Sequence, residues 1–474
     1  MGGLGKTTLA TKIFHDSFVE YHFDVRGWVT VSQAYSTQDM LLQLLASIGK
    51  SINEAATKLE VAKLCEMLYQ SLKGRKYLII IDDIWSCKAW DDVRQCFPND
   101  NNGSRVLVTT RLTEVASHAS QGGFTHNLQH LTQVQSWELL CRKTLRGYEC
   151  PESLTEPGKR IAKKCGGLPL ALVVIAGLLE KEEKRKDLWE NIAERVGSYI
   201  INDPKGCLDT LALSYDHLPC HLKKCVLYVG GFPEDYKIQV RKLIRLWMAE
   251  GFIEEPHERS WEEEAEYYLM DLIDRNLLLV AGKSSNGGVK SCRMHDLLRE
   301  VCLKKACEEN FFKKVSMPTS NGNLDSTSFV SIVTQRRLFL DYTVLEDIYL
   351  HEFATHARTV LCFRGSPISS RTDAFWISSF LLLRVLDLGN IALVYKFSDL
   401  KILIHLRYLA VWSCNNDAFS FSGLSGGLQT IIVNGNLDDF WSSSNNMTNL
   451  RHLQCDHINF NVTFHFTVPT LFNL

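Results

Sequence analysis

Short apolar runs alternate with segments of helical periodicity over the first 125 residues of this chain. One run, 77–81, ends in Asp82-Asp83, and another, 104–110, ends at Arg111. A continuous apolar run predicts a strand buried on both faces of a parallel sheet, and helices between such strands predict an α/β domain. We therefore expect residues 1–125 to form a parallel sheet with polar side chains at the carboxyl ends of its strands.

The pattern becomes mostly helical after residue 125. Apolar spacing predicts helices over 132–148 and 157–181, so residues 126–215 are predicted to form a helical domain. Residues 216–305 combine an amphipathic helix that stops at Gly251 with a hairpin whose tip is 284–288. Helices with such a hairpin predict a winged-helix domain. The apolar positions of the amphipathic helix are Val240, Leu243, Ile244, Trp247 and Met248.

The last part of the chain repeats. Four copies of L-x-x-L-x-L begin 22 or 23 residues apart, and leucine-rich repeats of this period bury their apolar edges by stacking on one another. A polar stretch within 306–330 predicts a linker, and residues 331–474 are predicted to form leucine-rich repeats. A fifth copy begins at Leu471 and is not completed, so we expect an incomplete array. The copies begin at Leu383, Leu406, Leu428 and Leu450.

The composition is that of an ordinary water-soluble protein, with 45% hydrophobic residues, 22% charged residues and a net charge of −2. With this net charge, the protein has no strong overall electrostatic field that would attract nucleic acid or a membrane surface. The longest strongly apolar stretch, 168–179, is too short to span a bilayer, and no signal peptide is visible. The 15 cysteines include no C-x-x-C pair, which predicts reduced thiols and no zinc site. We expect a cytoplasmic protein, with peripheral membrane or nuclear association left open.

The first eight residues carry a phosphate-binding pattern. They fill the last places of G-x-x-x-x-G-K-[ST], but the first glycine, like the strand that feeds such a loop, would precede Met1. We therefore expect the sequence to be a fragment. Glycines permit turns whose amides face phosphate, and the following helix adds its positive end. The alternative is a glycine-rich turn capped by threonine. The expected nucleotide-binding residues are Gly2, Gly3, Gly5, Lys6, Thr7 and Thr8.

Two carboxylates match the part of a P-loop site that holds Mg²⁺ and orients the attacking water. Asp82 is expected to hold Mg²⁺ through water, together with the Thr7 hydroxyl, and Asp83 to orient or activate the attacking water. Arg111, at the tip of the next strand, can sense a γ-phosphate. Without the glycine-rich loop, these residues would be polar ends of ordinary strands. Together the segments predict an α/β P-loop NTPase domain that binds ADP or ATP with Mg²⁺.

The order of these segments resembles that of the plant intracellular NB-ARC leucine-rich-repeat disease resistance proteins. The resemblance covers nearly the whole chain. Trp85, directly after Asp82-Asp83-Ile84, is typical of the coiled-coil subclass, and the sequence is similar to the late-blight-resistance group. The resemblance implies P-loop NTPase, helical and winged-helix domains followed by an α/β leucine-rich-repeat solenoid. Further matching motifs are 23–33, 165–171, 225–228, 232–235 and Met294-His295-Asp296.

The resemblance also implies roles for single residues. Pro169 would pack near the adenine, His295 would touch the β-phosphate of ADP, and Asp296 would support His295. Lys6 would bind phosphate and Arg111 would be the phosphate sensor. Without the family, Pro169 could simply kink a buried helix, and His295 could be a structural histidine.

The implied function is an ADP/ATP switch of plant innate immunity that triggers hypersensitive cell death when a pathogen effector is recognised. Enzymatic activity would be at most slow ATP hydrolysis that resets the switch. The repeats would bind the effector or a guarded host protein, and the active form would self-associate. No nucleic acid is expected. Arg241, Lys242 and Arg245 on one helix leave DNA binding open, against the simpler interpretation of a solvated basic face.

Two other functions stay open. Without its first strand, the sheet would leave backbone groups of neighbouring strands unpaired, which is costly when they are buried. That would predict a truncated receptor fragment that binds no nucleotide and acts as an interaction scaffold, or a pseudogene product. A metabolic ATPase or kinase is disfavoured, because no lid or substrate-binding segment is visible and the repeats indicate protein recognition.

Overall fold

The computed structural model describes residues 2–31, 35–52, 59–120, 123–196, 204–316, 335–341, 356–363, 380–393, 402–413, 424, 426–434, 447–457 and 460–465. The chain divides into two compact units, Met1–Ser214 and Tyr215–Leu474. Ser32, Gln33, most of the expected linker and the last repeat start, 471–474, lie outside the described residues.

The first unit alternates helices and strands and then becomes helical. Its strands are β1 (Val25–Thr30), β2 (Tyr77–Ile84) and β3 (Arg105–Thr110). Its helices are α1 (Lys6–Phe14), α2 (Ser17–His22), α3 (Thr37–Ser47), α4 (Val61–Leu72), α5 (Cys87–Arg94), α6 (Thr113–Ala119), α7 (Gln133–Leu145), α8 (Glu152–Lys164), α9 (Pro169–Lys181), α10 (Lys186–Arg195) and the start of α11 (Pro204–Asp216).

The sheet of the first unit is parallel and has the order β1-β2-β3. All eight residues of β2 are buried, which confirms the predicted strand with two covered faces. Ile79 and Ile81 enter a large core with α3 and α4, whereas Leu78 and Ile80 pack with Ala10 of α1. β3 forms an edge of the described sheet, and most of its residues are only half-buried.

The helical part of the first unit begins with a capping box. The Thr132 side chain accepts from the amide of Gln135, whose own side chain accepts from the Thr132 amide. The prediction of a helix over 157–181 was wrong in one respect, because the chain breaks it between α8 and α9. Gly166 and Gly167 both have positive φ, a backbone conformation that ends a helix. Pro169 then opens α9 as its first residue, so it starts a helix rather than kinking one.

One pair of cysteines departs from the prediction of reduced thiols. Cys65 of α4 and Cys96, just after α5, form a disulfide between Cα atoms 5.1 Å apart. The two residues are 31 positions apart, and their proximity follows from the packing of the two helices on the sheet. The spacing of the cysteines along the chain therefore could not predict this disulfide.

The second unit contains a helical part, a hairpin and a large sheet. Its helices after α11 are α12 (Cys220–Gly230), α13 (Val240–Glu250), α14 (Trp261–Asp274) and α15 (Asp296–Glu308). Its strands are β4 (Ile238–Gln239), β5 (Leu279–Lys283), β6 (Val289–Arg293), β7 (Lys313–Ser316), β8 (Arg337–Asp341), β9 (Thr359–Cys362), β10 (Val385–Leu393), β11 (Tyr408–Ser413), β12 (Thr430–Asn434), β13 (His452–His457) and β14 (Phe460–His465).

The winged-helix prediction is confirmed in its elements. β5 and β6 pair antiparallel around the expected tip, and β4 adds to the other edge of β6. α13 ends at Gly251, which has a left-handed φ of 75°. The Gly251 amide donates hydrogen bonds to the carbonyl oxygens of Trp247 and Met248, so this residue caps the helix.

The large sheet follows the order of the chain from β7 to β14. Neighbouring strands from β7 to β13 are parallel, and β14 closes the sheet antiparallel to β13. The repeated apolar positions form one buried core under the strands. In the copy that begins at Leu383, for example, Leu383, Leu386 and Leu388 have no exposed surface.

Lys242 and Arg245 of α13 differ from the prediction of a solvated basic face. The ammonium of Lys242 lies 2.6 Å from the Asp387 carboxylate of β10, and Arg245 is buried with its Nη1 3.4 Å from Gln454 Oε1. These charges contact the large sheet because the buried face of α13 packs on it. Two of the three basic residues of α13 therefore turn toward the sheet, and Arg241 is exposed.

Candidate nucleotide-binding site

The glycine-rich loop leads directly into α1. Gly3 and Gly5 have φ values of 76° and 94°, which glycine adopts at little cost. Gly5 is the N-cap of α1 and has no side chain to cap the amides of the first turn. Nothing lies within 4 Å of the point where a Cβ at Gly5 would stand. The start of α1, with Lys6, Thr7 and Thr8 in its first turn, therefore has the form of an anion-binding helix end.

Asp82 is held at the end of β2 by two hydroxyl groups. Thr7 Oγ1 donates to Asp82 Oδ1 at 3.1 Å, and Thr109 Oγ1 donates to the same oxygen at 2.6 Å. Asp82 is 1% exposed, so these bonds offset the cost of burying its charge. The hydroxyl and carboxylate expected to serve one metal ion thus lie side by side.

Asp83 faces a different partner. Its backbone has a φ of 57°, unusual for a residue other than glycine, and the pairing of β2 with β3 shifts register between Ile81 and Ile84. The carboxylate forms two hydrogen bonds with Arg111, from Nε at 3.1 Å and from Nη2 at 2.8 Å. The guanidinium also lies over the Trp85 ring, 4.7 Å from the ring centroid. Adjacent aspartates therefore have separate environments.

The loop also contacts the start of α9. The amide of Leu170 donates to Gly3 O at 3.2 Å. A Cβ at Gly3 would lie 3.0 Å from the Leu170 Cβ, so only glycine fits here without movement. Pro169 is half-buried beside this contact. The structure thus brings the 165–171 motif against the phosphate loop, as a shared ligand would require.

The described residues fit a nucleoside phosphate with Mg²⁺. The uncapped amides and the open space at Gly5 suit a phosphate group. Thr7 Oγ1 donates to Asp82 Oδ1 at 3.1 Å, so the hydroxyl would bind Mg²⁺ directly and the carboxylate beside it would reach the ion through a bound water. Within the described residues, no group of three or more His, Cys, Asp and Glu side chains could hold a metal by itself.

The two switch candidates lie in the second unit. His295 is the N-cap of α15, and its Nδ1 accepts from the Leu297 amide at 3.3 Å. The Asp296 carboxylate lies beside the same ring nitrogen. This geometry gives His295 a structural task in its own unit, and its contact with a nucleotide stays a prediction.

Sequence reasoning missed two residues of the site. Thr109 joins both aspartates, since it donates to Asp82 and accepts from the Asp83 amide at 2.8 Å. From the sequence, Trp85 indicates only the subclass, yet its ring stacks on Arg111. The one available signal for Thr109 was a polar residue near the end of an otherwise apolar strand.

Two family models match the chain. The NB-ARC domain matches residues 1–150, and the disease resistance protein winged helix domain matches residues 232–302. The described helices include none that is both long and apolar enough to cross a bilayer.

Curated relatives agree with these matches. A putative late blight resistance protein homolog of Solanum demissum is 38% identical over 447 residues, which are 92% of this chain and 34% of that protein. The late blight resistance protein R1-A of the same species is 38% identical over 453 residues, 91% of this chain and 34% of that protein. The chain therefore spans about a third of the length of these relatives.

Likeness to solved structures is weak. A STAND-class signal transduction ATPase with a tetratricopeptide repeat sensor, from Pyrococcus horikoshii, has a TM-score of 0.42 at 18% identity, over 65% of this chain and 40% of that one. That likeness has no bearing on function. The domain matches and the 38% identity agree: residues 1–150 match the NB-ARC domain, residues 232–302 match the disease resistance protein winged helix domain, and the chain is similar to plant disease resistance proteins.

Proposed function

We propose that this chain forms the nucleotide-operated switch of a plant disease resistance protein. ADP holds the resting state, ATP supports the active state, and slow hydrolysis of ATP returns the protein to rest. Perception of a pathogen effector, directly or through a guarded host protein, shifts the balance toward ATP and triggers hypersensitive cell death. The active form self-associates.

One observation carries the proposal. Three segments far apart in the sequence meet at the start of α1: the glycine-rich loop, the carboxylate end of β2, and the first turn of α9. Thr7 contacts Asp82 across 75 positions, and Gly3 contacts Leu170 across a still longer stretch. A packing role alone would not require buried carboxylates beside an uncapped helix end.

Each group has a definite task in this proposal. The amides of α1 and the Lys6 ammonium bind phosphate oxygens, and Thr7 and Asp82 hold Mg²⁺, which neutralises phosphate charge. Thr109 keeps the Asp82 carboxylate aimed at Thr7. Asp83 orients the attacking water when it is released from Arg111, and Arg111 then contacts the γ-phosphate.

Titration of the purified chain with fluorescent ADP in Mg²⁺ tests nucleotide binding. Lys6→Ala should weaken binding tenfold to about a hundredfold, because a hydrogen bond to a charged group contributes about 1.5–3 kcal/mol. Lys12→Ala is the matched control, since Lys12 is an exposed residue in the last turn of the same helix. Absence of saturable binding by the unsubstituted chain would instead support the interaction scaffold.

The histidine of the second unit carries the switch part of the proposal. His295→Ala should weaken ADP binding more than ATP binding, because His295 is assigned to the β-phosphate of ADP in the resting state. The substitution also removes the N-cap of α15, so His295→Asn, which keeps a capping side chain, serves as the control for helix stability. Equal loss of both nucleotides in His295→Ala would contradict the assignment.

The large sheet of the second unit provides the recognition surface in this proposal. Its parallel strands follow one another at the spacing of the L-x-x-L-x-L copies, with the repeated leucines in one core. We assign residues 331–474 to leucine-rich repeats on this basis, with an effector or a guarded host protein as the partner.

A further inference from the structure

The nucleotide switch assigns no task to Trp85. It follows Ile84 at the end of β2, and its ring lies against the Arg111 guanidinium at 4.7 Å. The indole Nε1 is buried and donates to no group among the described residues. The indole therefore contributes its ring face to this contact and not its N–H group.

Arg111 is enclosed between this ring and a carboxylate. Its Nε and Nη2 atoms form one edge of the planar guanidinium, and both donate to Asp83. The two side chains are only 19% and 12% exposed, so water screens the pair poorly. While Arg111 is held this way, the same edge is not available to a phosphate group.

Asp83 itself is fixed by its backbone. Its amide donates to Thr109 Oγ1 at 2.8 Å, and its backbone has a left-handed φ of 57°. Because the backbone of Asp83 is anchored and its side chain is short, the longer Arg111 side chain has the greater freedom to leave this contact. Trp85 covers one face of the same guanidinium.

We propose that Trp85 is a positioning residue that holds Arg111 on Asp83 and thereby biases the site toward the nucleoside diphosphate. A γ-phosphate must compete with both Asp83 and the indole ring for the guanidinium, whereas a diphosphate leaves the contact in place. The inference rests on the proposed nucleotide binding and assigns a determinant of its ADP-over-ATP preference.

The test compares the affinities of the full chain for ADP and for a non-hydrolysable ATP analogue, both with Mg²⁺. Trp85→Leu removes the ring and should raise the ratio of ATP-analogue affinity to ADP affinity about threefold to tenfold, the range expected for loss of one cation–π contact. Trp85→Phe keeps a ring with a weaker face and should give an intermediate ratio. Trp90→Leu is the control, because Trp90 packs against Phe97 and not on Arg111.

The same substitutions in an Arg111→Gln background decide whether the effect acts through the guanidinium. There, Trp85→Leu should leave the affinity ratio unchanged. An unchanged ratio for Trp85→Leu in the Arg111 background, or an equal change in both backgrounds, would refute the positioning role and leave Trp85 as a packing residue.

A second measurement separates this inference from the proposed function. In protein labelled with 5-fluorotryptophan, the ¹⁹F resonance of Trp85, identified by its absence in Trp85→Phe, should shift in Arg111→Gln. It should also shift on addition of the ATP analogue, but not of ADP. Binding of both nucleotides without that selective shift would overturn the inference alone. Failure to bind either nucleotide would overturn the proposed function and the preference that depends on it.

Discussion

At the scale of single residues, the site depends on a threonine that connects two neighbouring carboxylates. The Thr109 hydroxyl donates to Asp82 Oδ1 and accepts from the Asp83 amide, and Thr109 is only 8% exposed. One side chain thus orients Asp82 toward Thr7 and stabilises the unusual backbone of Asp83. The separate environments of the two aspartates follow from this arrangement.

Thr109→Val should lower the free energy of unfolding of the first unit by about 1–3 kcal/mol, because a buried amide and a buried carboxylate each lose a partner while the shape is kept. Thr109→Ser keeps the hydroxyl and should retain most of that stability. Urea unfolding of both variants, with hydrogen exchange of peptides from β2, provides the measurement. Equal stability of Thr109→Val and the unsubstituted chain would show that the two bonds contribute nothing.

Gly167 offers a second residue-scale prediction. Its φ is 72°, and an added Cβ would lie 2.3 Å from the carbonyl oxygen of Leu131, so Gly167→Ala must shift the backbone before α9. Gly74→Ala is the matched control, because Gly74 has a φ of 75° and nothing within 4 Å of the added atom. Both variants suffer the strain of a left-handed residue, about 1–2 kcal/mol, but only Gly167→Ala adds the clash.

The comparison is read from thermal unfolding and from ADP binding. Gly167→Ala should unfold at a lower temperature than Gly74→Ala and should weaken ADP binding, because Leu168 and Leu170 reach the phosphate loop from this turn. If the two variants had the same midpoint, the contact with Leu131 would not restrict the turn.

At the scale of elements, α13 shows how tertiary packing changes the meaning of a charge pattern. The helix spacing, the amphipathic face and the glycine cap were all predicted from local sequence. Its basic residues suggested a solvated surface, but Lys242 pairs with Asp387, and Glu250 pairs with Arg337 at 2.9 Å. The partners lie more than 80 positions away, so no local pattern could have identified them.

Asp387→Ala should lower the free energy of unfolding of the second unit by about 3–5 kcal/mol, because it leaves the Lys242 charge without its buried partner. Burial alone would lower the pKa of Lys242, but Asp387 and nearby Tyr408 outweigh it and raise the pKa, so the ammonium stays charged. The double variant Lys242→Met, Asp387→Leu should recover most of the loss, since it replaces the pair with apolar groups.

The control for this prediction is an exposed pair. Lys63 and Glu66 lie 2.8 Å apart with 57% of each side chain exposed, so Glu66→Ala should change stability by no more than about 0.5 kcal/mol. Urea unfolding of the variants gives the values. A double variant as unstable as Asp387→Ala would show that packing at Asp387, and not the lost charge partner, causes the effect.

At the scale of the whole molecule, we expect low pH to reduce the stability of the second unit, because Glu262 becomes protonated. The pKa of this carboxyl is lowered to about 2, mainly by contact with His452, whose Nε2 lies 3.2 Å away. Arg451 also lowers the pKa, whereas burial of the carboxyl raises it. A carboxyl with a depressed pKa in the folded state stabilises above its usual pKa near 4.5, and this contribution is lost as the pH falls toward 2.

The stability difference between the unsubstituted chain and Glu262→Gln should therefore be present at pH 5 and should shrink steadily as the pH falls below 4.5. Glu258→Gln, at an exposed position, should show no such trend. Unfolding midpoints at several pH values, assigned to peptides of α14 by hydrogen exchange, give the comparison. A difference that stays constant down to pH 3 would exclude the ion pairs as its source.

Local sequence determined much of the molecule without help from the tertiary structure. Apolar runs located β2 and β3, helical spacing with a glycine end located α13, and the repeated leucines located the core of the large sheet. These features depend on backbone geometry and on side-chain period, which act over a few residues. The loop glycines and the carboxylates at 82 and 83 were recognisable for the same reason, because each group lies within one short segment.

Only the tertiary structure decided which partners these groups have. It paired Asp83 with Arg111, placed Trp85 on the guanidinium, paired Lys242 of α13 with Asp387, and joined Cys65 to Cys96. Each of these contacts connects segments that are distant in sequence or depends on the direction of one side chain. Burial makes unpaired charges and polar atoms costly, so the fold selects partners by proximity in space, and spacing along the chain does not contain that information.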